Sequence, residues 1–380
     1  MRIAIFTDTY KPQINGVVTS IEIFRKELEK KGHKVFIFAP MLPGENKRLK
    51  RVFRFNSVTY PFQREHRLVF PYSRILNKFD RLKIDIIHSQ TPFSMGLLAA
   101  YLSKKYKIPL VHTYHTLFTE YLHYIKLEGE VFKNVVKWAS KRYCNLCDLI
   151  IVPSAKILEE LKEYGVASPI EIIPTGIESI DTSLLVKADA LKEQYNIPTN
   201  RRLLCFVGRL GKEKNIEFLI NAMPSILISV KNTQLIIVGD GPEKIPLQKL
   251  AKKLQIQDNI TFTGYVDRKI VFSIVRMSDI FIFASTTETQ GLVLIEAMSM
   301  RTPVVAVDAM GVSDVLQGNY GGILTPDNVS KFSDKIVDLL QNPVLLEQKS
   351  EEATHRADEW SAENMTEKLL KCYNSIIISH

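Results

Sequence analysis

Short apolar runs recur along the chain. Between them lie segments whose apolar positions fall every three or four residues. In the first half, RIAIFTD, HKVFIFAP, IDIIHSQ, PLVHTYH, CDLIIVPS and IEIIPTGI read as strands. NGVVTSIEIFRKELEKKG, SMGLLAAYLSKKY and AKILEELKEYG alternate with them and show helical spacing. The first and last of these helices end at glycine, a natural C-cap. Strands this apolar, separated by helices, predict a parallel sheet covered on both faces. Residues 177–200 are more polar and read as a linker with a short helix. Then the pattern restarts. RLLCFVGRL, TQLIIVGDG, NITFTGYV, DIFIFAS, PVVAVD and GGILTP are the strands of a second series. Its helices are NIEFLINAMPSIL, PLQKLAKKLQ, KIVFSIVRMS, a helix starting near Gly291, and KFSDKIVDLLQN. A last helical segment runs over roughly 351–375. The expected class is α/β, with doubly wound units at 1–180 and 195–355. The closing helix, within 356–380, is expected to pack back on the first unit.

The length of 380 residues agrees with two cores rather than one. No run approaches the roughly eighteen apolar residues of a membrane span. The opening MRIAIFTDTY turns polar too soon for a signal peptide. Cys144 and Cys147 form a C-x-x-C pair with no second pair elsewhere, so ordinary buried thiols are expected rather than zinc. Charge changes the picture more. The chain carries a formal +9. Residues 47–83 alone hold eleven Lys and Arg against Glu65 and Asp80, which is the same +9. A local basic surface of this kind suggests an anionic partner, nucleic acid and a membrane surface both being allowed, with solubility alone as the alternative.

In open α/β sheets, ligands meet the carboxyl ends of the strands, and the notable residues follow strands here. TDTYKPQINGVV lacks G-x-G-x-x-G, the fingerprint of a dinucleotide cofactor. It does offer Gly16 at a helix start, with Asn15 as N-cap, where backbone N–H groups can face an anion. A capped helix near nothing is the alternative. FVGRLGKEKN sets Arg209 and Lys214 just past a strand, suited to a diphosphate, or to a solvated loop. VGDGPE puts Gly239 and Gly241 after another strand, where the backbone could turn close to a ligand. ETQGLVLIE, at 288–296, holds two glutamates around an apolar run. Leu292, Val293, Leu294 and Ile295 are expected to bury against the sheet. The amides of Thr289, Gln290, Gly291 and Leu292 then stand free at a helix N-terminus, which favours phosphate. Glu288 in the loop and Glu296 in the helix could accept hydroxyls at the two ends of one elongated ligand. A sugar, a diphosphate and a ribose in a row describe a nucleotide-sugar.

The ordered set NGVV, TYHT, GRLGKEKN, VGDGP, FTGYV and E-x7-E resembles glycosyltransferase family 4 over essentially the whole chain. The resemblance implies the GT-B fold, two Rossmann-like doubly wound domains facing each other across a cleft. The first is expected to bind the acceptor and the second the nucleotide-sugar. Glu288 then contacts the donor sugar and Glu296 the ribose. Arg209 and Lys214 hold the diphosphate with the amides of Gln290, Gly291 and Leu292. Val266 lies where backbone meets the nucleobase. Gly16 brings first-domain amides to the diphosphate, and His115 stands near the sugar and the reacting centre. A structural histidine is the reading of His115 from residues alone. Many members carry Gly-Gly where this chain has Asn15-Gly16.

The implied chemistry is hexosyl transfer with retention, through front-face substitution. No acid and base carboxylate pair of the glycosidase kind stands out at the reacting carbon. Arg209, Lys214 and the helix amides would stabilise the leaving diphosphate. No metal and no obligatory cofactor are expected. The opening TDTYKPQINGVVTSI and the TYHT stretch look most like bacterial diacylglycerol glucosyltransferases. That implies UDP-glucose as donor, diacylglycerol as acceptor, and peripheral association with the inner face of the cell membrane. The aromatic and cationic residues of 47–83 suit an anionic membrane surface, and a helix expected over 131–143 extends that pattern with Trp138, an ordinary core helix with a wet basic side being the alternative. Nucleic acid would not explain E-x7-E. A family 4 enzyme moving mannose, galactose or N-acetylglucosamine to phosphatidylinositol, a soluble sugar or a growing glycan is the alternative. A non-catalytic carbohydrate-binding protein is the alternative of another class.

Overall fold

The structure is a computed structural model. It describes residues 1–13, 15–42, 49–59, 67–70, 73, 75–115, 130–288 and 290–380. Lys47, Arg48, Arg64 and Arg74 of the basic window lie outside the described residues, as do Thr116 of TYHT and Thr289. Two compact units form. One is Met1–Gly176 with Ala362–His380, and the other is Ile177–Ser361.

In the first unit the strands are β1 (Arg2–Phe6), β2 (Lys34–Pro40), β3 (Val52–Phe55), β4 (Ser57–Thr59), β5 (Arg67–Val69), β6 (Ile86–Ser89), β7 (Leu110–Thr113), β8 (Leu149–Val152) and β9 (Ile170–Ile172). The main sheet runs β3-β2-β1-β6-β7-β8-β9, with every pair parallel. Side chains of period two feed both faces. Ile3 and Ile5 pack with Met365, Leu369 and Tyr373 of the last helix, Ala362–Ser379. Ala4 and Phe6 pack on the other face with Leu98 and Leu102 of the helix Ser94–Tyr106. Phe6 stacks on Phe38 with ring centroids 4.5 Å apart. Burying one such ring is worth about 1.5–3 kcal/mol.

The second unit adds β10 (Arg202–Val207), β11 (Thr233–Val238), β12 (Ile260–Gly264), β13 (Ile280–Phe283), β14 (Val304–Val307) and β15 (Gly322–Thr325). Their order is β12-β11-β10-β13-β14-β15, again all parallel. Both units are therefore Rossmann-like. The strand order reverses between β1 and β6 in one and between β10 and β13 in the other. Loops leaving neighbouring strands at a reversal diverge, which opens a crevice for polar side chains.

Several elements differ from the sequence expectation. β3 and the antiparallel pair β4–β5 lie inside the basic window, where cations obscure the apolar pattern. Two of those cations hold the sheet edge instead of facing a partner. Arg51 pairs with Glu29 at 3.3 Å. Arg54 donates to the carbonyls of Pro40 and Lys11 at 3.1 and 2.6 Å, and lies over the Tyr10 ring at 5.3 Å. The short helix Met310–Val315 was also not anticipated. The closing helical segment is two helices, Pro343–Glu359 and Ala362–Ser379. The first belongs to the second unit and the second to the first. The chain breaks at Trp360, whose carbonyl accepts from the Ile177 N–H at 3.0 Å. No described helix is long and apolar enough to cross a membrane.

Candidate functional site

The loops after β10 and β13 meet at the reversal of the second sheet. The Lys212–Lys214 turn follows β10 and leads into the helix Ile216–Ser229. Lys214 Nζ donates to Glu288 Oε2 at 2.7 Å and sits 5.8 Å from the Phe283 ring centroid. Both side chains are half-buried, at 23% and 21% exposure. The Ser285 hydroxyl donates to the Glu213 carbonyl at 2.8 Å, a second tie between the same loops. The Glu288 carbonyl accepts from the Gly311 N–H at 3.0 Å. Glu288 is thus fixed at its backbone by one element and at its carboxylate by another. Arg209 is exposed, and among the described residues it makes no ion pair.

Gly291 caps the helix Leu292–Ser299 from a left-handed conformation, φ 65°. A Cβ there would approach Val315 Cγ2 to 3.1 Å. The N–H groups of Leu294 and Ile295 return to the Gly291 carbonyl at 2.9 and 3.4 Å. Those of Leu292 and Val293 precede the first intrahelical bond. Gln290 is half-buried beside them. The expectation that all of LVLI is buried is corrected. Leu294 and Ile295 are fully buried, while Leu292 and Val293 are only half-buried. Consecutive helical residues turn by about 100° each, so four in a row cannot share one face.

Glu296 lies on the second turn of that helix. Arg268 Nη2 donates to its Oε1 at 3.0 Å. Burial holds the Glu296 carboxyl above the usual range, and the Arg268 charge opposes the shift. Arg268 opens the helix Arg268–Met277, which Asp267 caps through the Ile270 N–H. Sequence reasoning missed Arg268, because a cation at an N-terminal helical position reads as solvated. Val266 lies two residues before Arg268 and packs against the core. Gly239 was expected to face a ligand. Its φ is 132°, and a Cβ would fall 2.0 Å from the Gly208 carbonyl oxygen. Its smallness therefore serves the packing of the β11 loop on the β10 loop. Gly241 is similar, with a Cβ 2.5 Å from the Leu210 carbonyl.

In the first unit, Gly16 begins the helix Gly16–Lys30, and Asn15 caps it through the Val18 N–H at 3.0 Å. A Cβ on Gly16 would meet nothing within 4 Å. Asp8, directly after β1, was overlooked. It is buried, accepts from the Thr91 hydroxyl at 2.5 Å and from the Met95 N–H at 3.1 Å, and also accepts from Ser94. It caps the helix Ser94–Tyr106 from a distant segment, which local pattern reading cannot see. Burial raises its carboxyl, and those hydrogen bonds oppose the rise. His115 follows β7. Its Nε2 lies 2.7 Å from Gln90 Oε1, so Nε2 carries the proton and Nδ1 keeps a lone pair.

Burial pushes His115 down to about 4, His112 to about 3, and His88 well below its ordinary value. His88 bonds Tyr373 Oη at 2.5 Å and Thr113 Oγ1 at 2.7 Å. All three rings are neutral at pH 7. Their folded pKa values lie below the unfolded value of 6.5, so the unfolded chain binds more protons as pH falls from 6.5 toward 4. We expect the first unit's urea midpoint to drop steadily across that window. A midpoint equal at pH 7.5 and pH 4.5 would contradict the burial of these rings.

Cys144, Cys147, Cys205 and Cys372 are free, and only Cys372 is not buried. Among the described residues, no group of three or more His, Cys, Asp or Glu is placed to hold a metal.

Comparison with known proteins agrees with this arrangement. Residues 14–179 match the model described as Glycosyltransferase Family 4, and residues 187–357 match Glycosyl transferases group 1. An alpha-monoglucosyldiacylglycerol synthase of Streptococcus pneumoniae is 33% identical over 386 residues, covering 100% of this chain and 87% of that one. One of the same name from Acholeplasma laidlawii is 32% identical, covering 91% and 90%. HepE from Anabaena has the same fold, with a TM-score of 0.77 at 18% identity over 99% of this chain and 100% of that one. Identity at this level across both units, together with the E-x7-E glutamates at a strand-order reversal, shows that the chain is a glycosyltransferase belonging to glycosyltransferase family 4.

Proposed function

We propose that this chain transfers glucose, with retention, from UDP-glucose to diacylglycerol at an anionic membrane surface. The observation that carries the acceptor is the full-length similarity to chains named alpha-monoglucosyldiacylglycerol synthase. The donor is supported by the same name and by the HepE fold relative, solved with UDP-glucose. Glu288 accepts hydroxyls of the donor sugar and Glu296 those of the ribose. Val266 offers backbone to the base. Arg209, Lys214 and the amides of Gln290, Gly291 and Leu292 take the diphosphate. Gly16 and His115 are assigned to the donor on the family resemblance, His115 as a neutral imidazole.

As the glycosidic bond breaks, negative charge grows on the diphosphate. Fixed cations and amides stabilise that charge more than the ground state, which lowers the barrier. The diphosphate oxygen takes the acceptor's proton on the face where the nucleophile arrives, so configuration is kept. Arg268 donates to one Glu296 oxygen and opposes the rise that burial imposes on this carboxyl, while the other oxygen is left to accept from the ribose. In this scheme the protein supplies the positive charge, and no metal is assigned.

The test is a panel of nucleotide-sugars against diacylglycerol, phosphatidylinositol and soluble sugars, with product mass and anomeric configuration determined. An α-glucosyl diacylglycerol formed from UDP-glucose is expected. A soluble product would favour the reading by similarity to the N-acetyl-alpha-D-glucosaminyl L-malate synthase of Bacillus anthracis, 26% identical over 97% of this chain and 95% of that one. In the same assay, EDTA is expected to leave most turnover intact. Complete loss restored by magnesium would overturn the metal-free scheme.

A further inference from the structure

Arg268 stands where a helix disfavours a cation. It is the first residue of the helix Arg268–Met277, whose N-terminal N–H groups and dipole favour negative charge. Asp267 meets that preference as the cap. The Arg268 guanidinium lies 5.1 Å from the centroid of the Phe272 ring, one turn along the same helix. From there it donates to Glu296 Oε1, on a different helix, at 3.0 Å. The arginine side chain is 58% exposed and the glutamate 30%, so solvent screens the pair and it adds little to stability. A cation set against its own helix dipole, in a pair of low stabilising value, is explained by what it does to Glu296.

That effect is geometric. The torsion that turns a carboxylate about its last bond is broad, not confined to staggered wells. Tying Oε1 to Arg268 fixes it, and the contact with Phe272 steadies the arginine in turn. Among the described residues, Oε2 has no hydrogen-bond partner. One oxygen is therefore held, and the other is presented in a set direction with lone pairs for two vicinal hydroxyls. Charge acts in the same sense. Burial favours the protonated carboxyl, which has less capacity to accept, and Arg268 opposes that.

We propose that Arg268 is a positioning residue for the donor's nucleoside. By holding Glu296 at Oε1, it lets the enzyme select a ribonucleotide donor over a deoxyribonucleotide. The proposal rests on the reading above that Glu296 accepts the ribose hydroxyls. Arg268 acts through Glu296 and touches no reacting atom, so its removal weakens donor binding and spares the chemical step.

The test is calorimetric binding of UDP, 2′-deoxy-UDP and 3′-deoxy-UDP to the parent, Arg268→Ala, Arg268→Lys and Glu296→Ala. The parent should bind UDP about tenfold or more tighter than at least one analogue, because a lost hydroxyl leaves Glu296 unsatisfied. Arg268→Ala should weaken UDP about tenfold and that analogue much less, so the preference collapses. Arg268→Lys keeps a charge near Glu296 and should recover part of it. With UDP-glucose as substrate, the Arg268→Ala loss should fall in KM, with kcat within about threefold. The melting temperature should hold, since the pair is exposed. An Arg268→Ala protein that keeps the parent's preference would overturn the proposal. Equal weakening of UDP and both analogues would also overturn it, because that marks a general attraction to phosphate. Failure of the ribose reading looks different. A Glu296→Ala protein with the full preference would take the ribose away from Glu296, and the positioning role with it. Loss of the preference in Glu296→Ala, with its retention in Arg268→Ala, would leave the ribose reading standing and refute Arg268 alone.

Discussion

Replacing Lys214 with alanine is expected to lower kcat/KM for the nucleotide-sugar by about 10²–10³, the cost of removing a charge partner from a reacting diphosphate. The change acts twice. It removes a cation expected to meet the leaving group, and it leaves the Glu288 carboxylate without the partner now held at 2.7 Å. An unpaired carboxylate facing a diphosphate repels it, so ground-state binding should weaken along with turnover. Lys214→Arg keeps the charge but changes its reach, and should recover part of the loss. Lys212→Ala alters an exposed cation of the same turn and should stay within about twofold, as surface changes away from a site do. Initial rates over a range of donor concentrations, with UDP binding by calorimetry, separate the two effects. A Lys214→Ala enzyme within about threefold of the parent in both measurements would remove this lysine from the site.

The alternation of apolar runs and helical segments predicted both parallel sheets, because a strand buried on two faces has a distinctive composition. It missed β3, since VFRF lies among cations that disguise a strand as surface. Those cations were read as free for a partner, yet Arg54 is held by backbone carbonyls brought near it only by folding. The paired glutamates were legible because they flank an apolar helix start. Arg268, which contacts Glu296 from 28 residues away, was not, since nothing local marks a cation that crosses between elements. Asp8 is the same case over a longer distance. Sequence pattern reports which face of an element is buried. It does not report which charges meet once elements pack, and the polar contacts of the site depend on those meetings.

Glycine separates these two kinds of information most clearly. Gly16 opens a helix in the first unit and Gly239 follows β11 in the second, and the sequence offers both as places for a ligand. Gly239→Ala is expected to cost about 3–5 kcal/mol of stability in the second unit, from a strained positive φ and an overpacked Cβ. The Cβ would meet a carbonyl oxygen at 2.0 Å, and backbone must move to admit it. Gly16→Ala should do the reverse. Its Cβ meets nothing within 4 Å, and alanine is a better helix former by about 1 kcal/mol at most. The Gly16→Ala protein should therefore melt at or above the parent temperature. If a donor diphosphate approaches the Gly16 amide, the added methyl fills the approach, and turnover should fall at least tenfold, or about 1.4 kcal/mol. Thermal melts and initial rates on the two variants settle both positions. A stable Gly239→Ala would contradict the loop packing. A Gly16→Ala enzyme with full stability and full turnover would leave that helix start a plain capped terminus, with the donor held by the second unit alone.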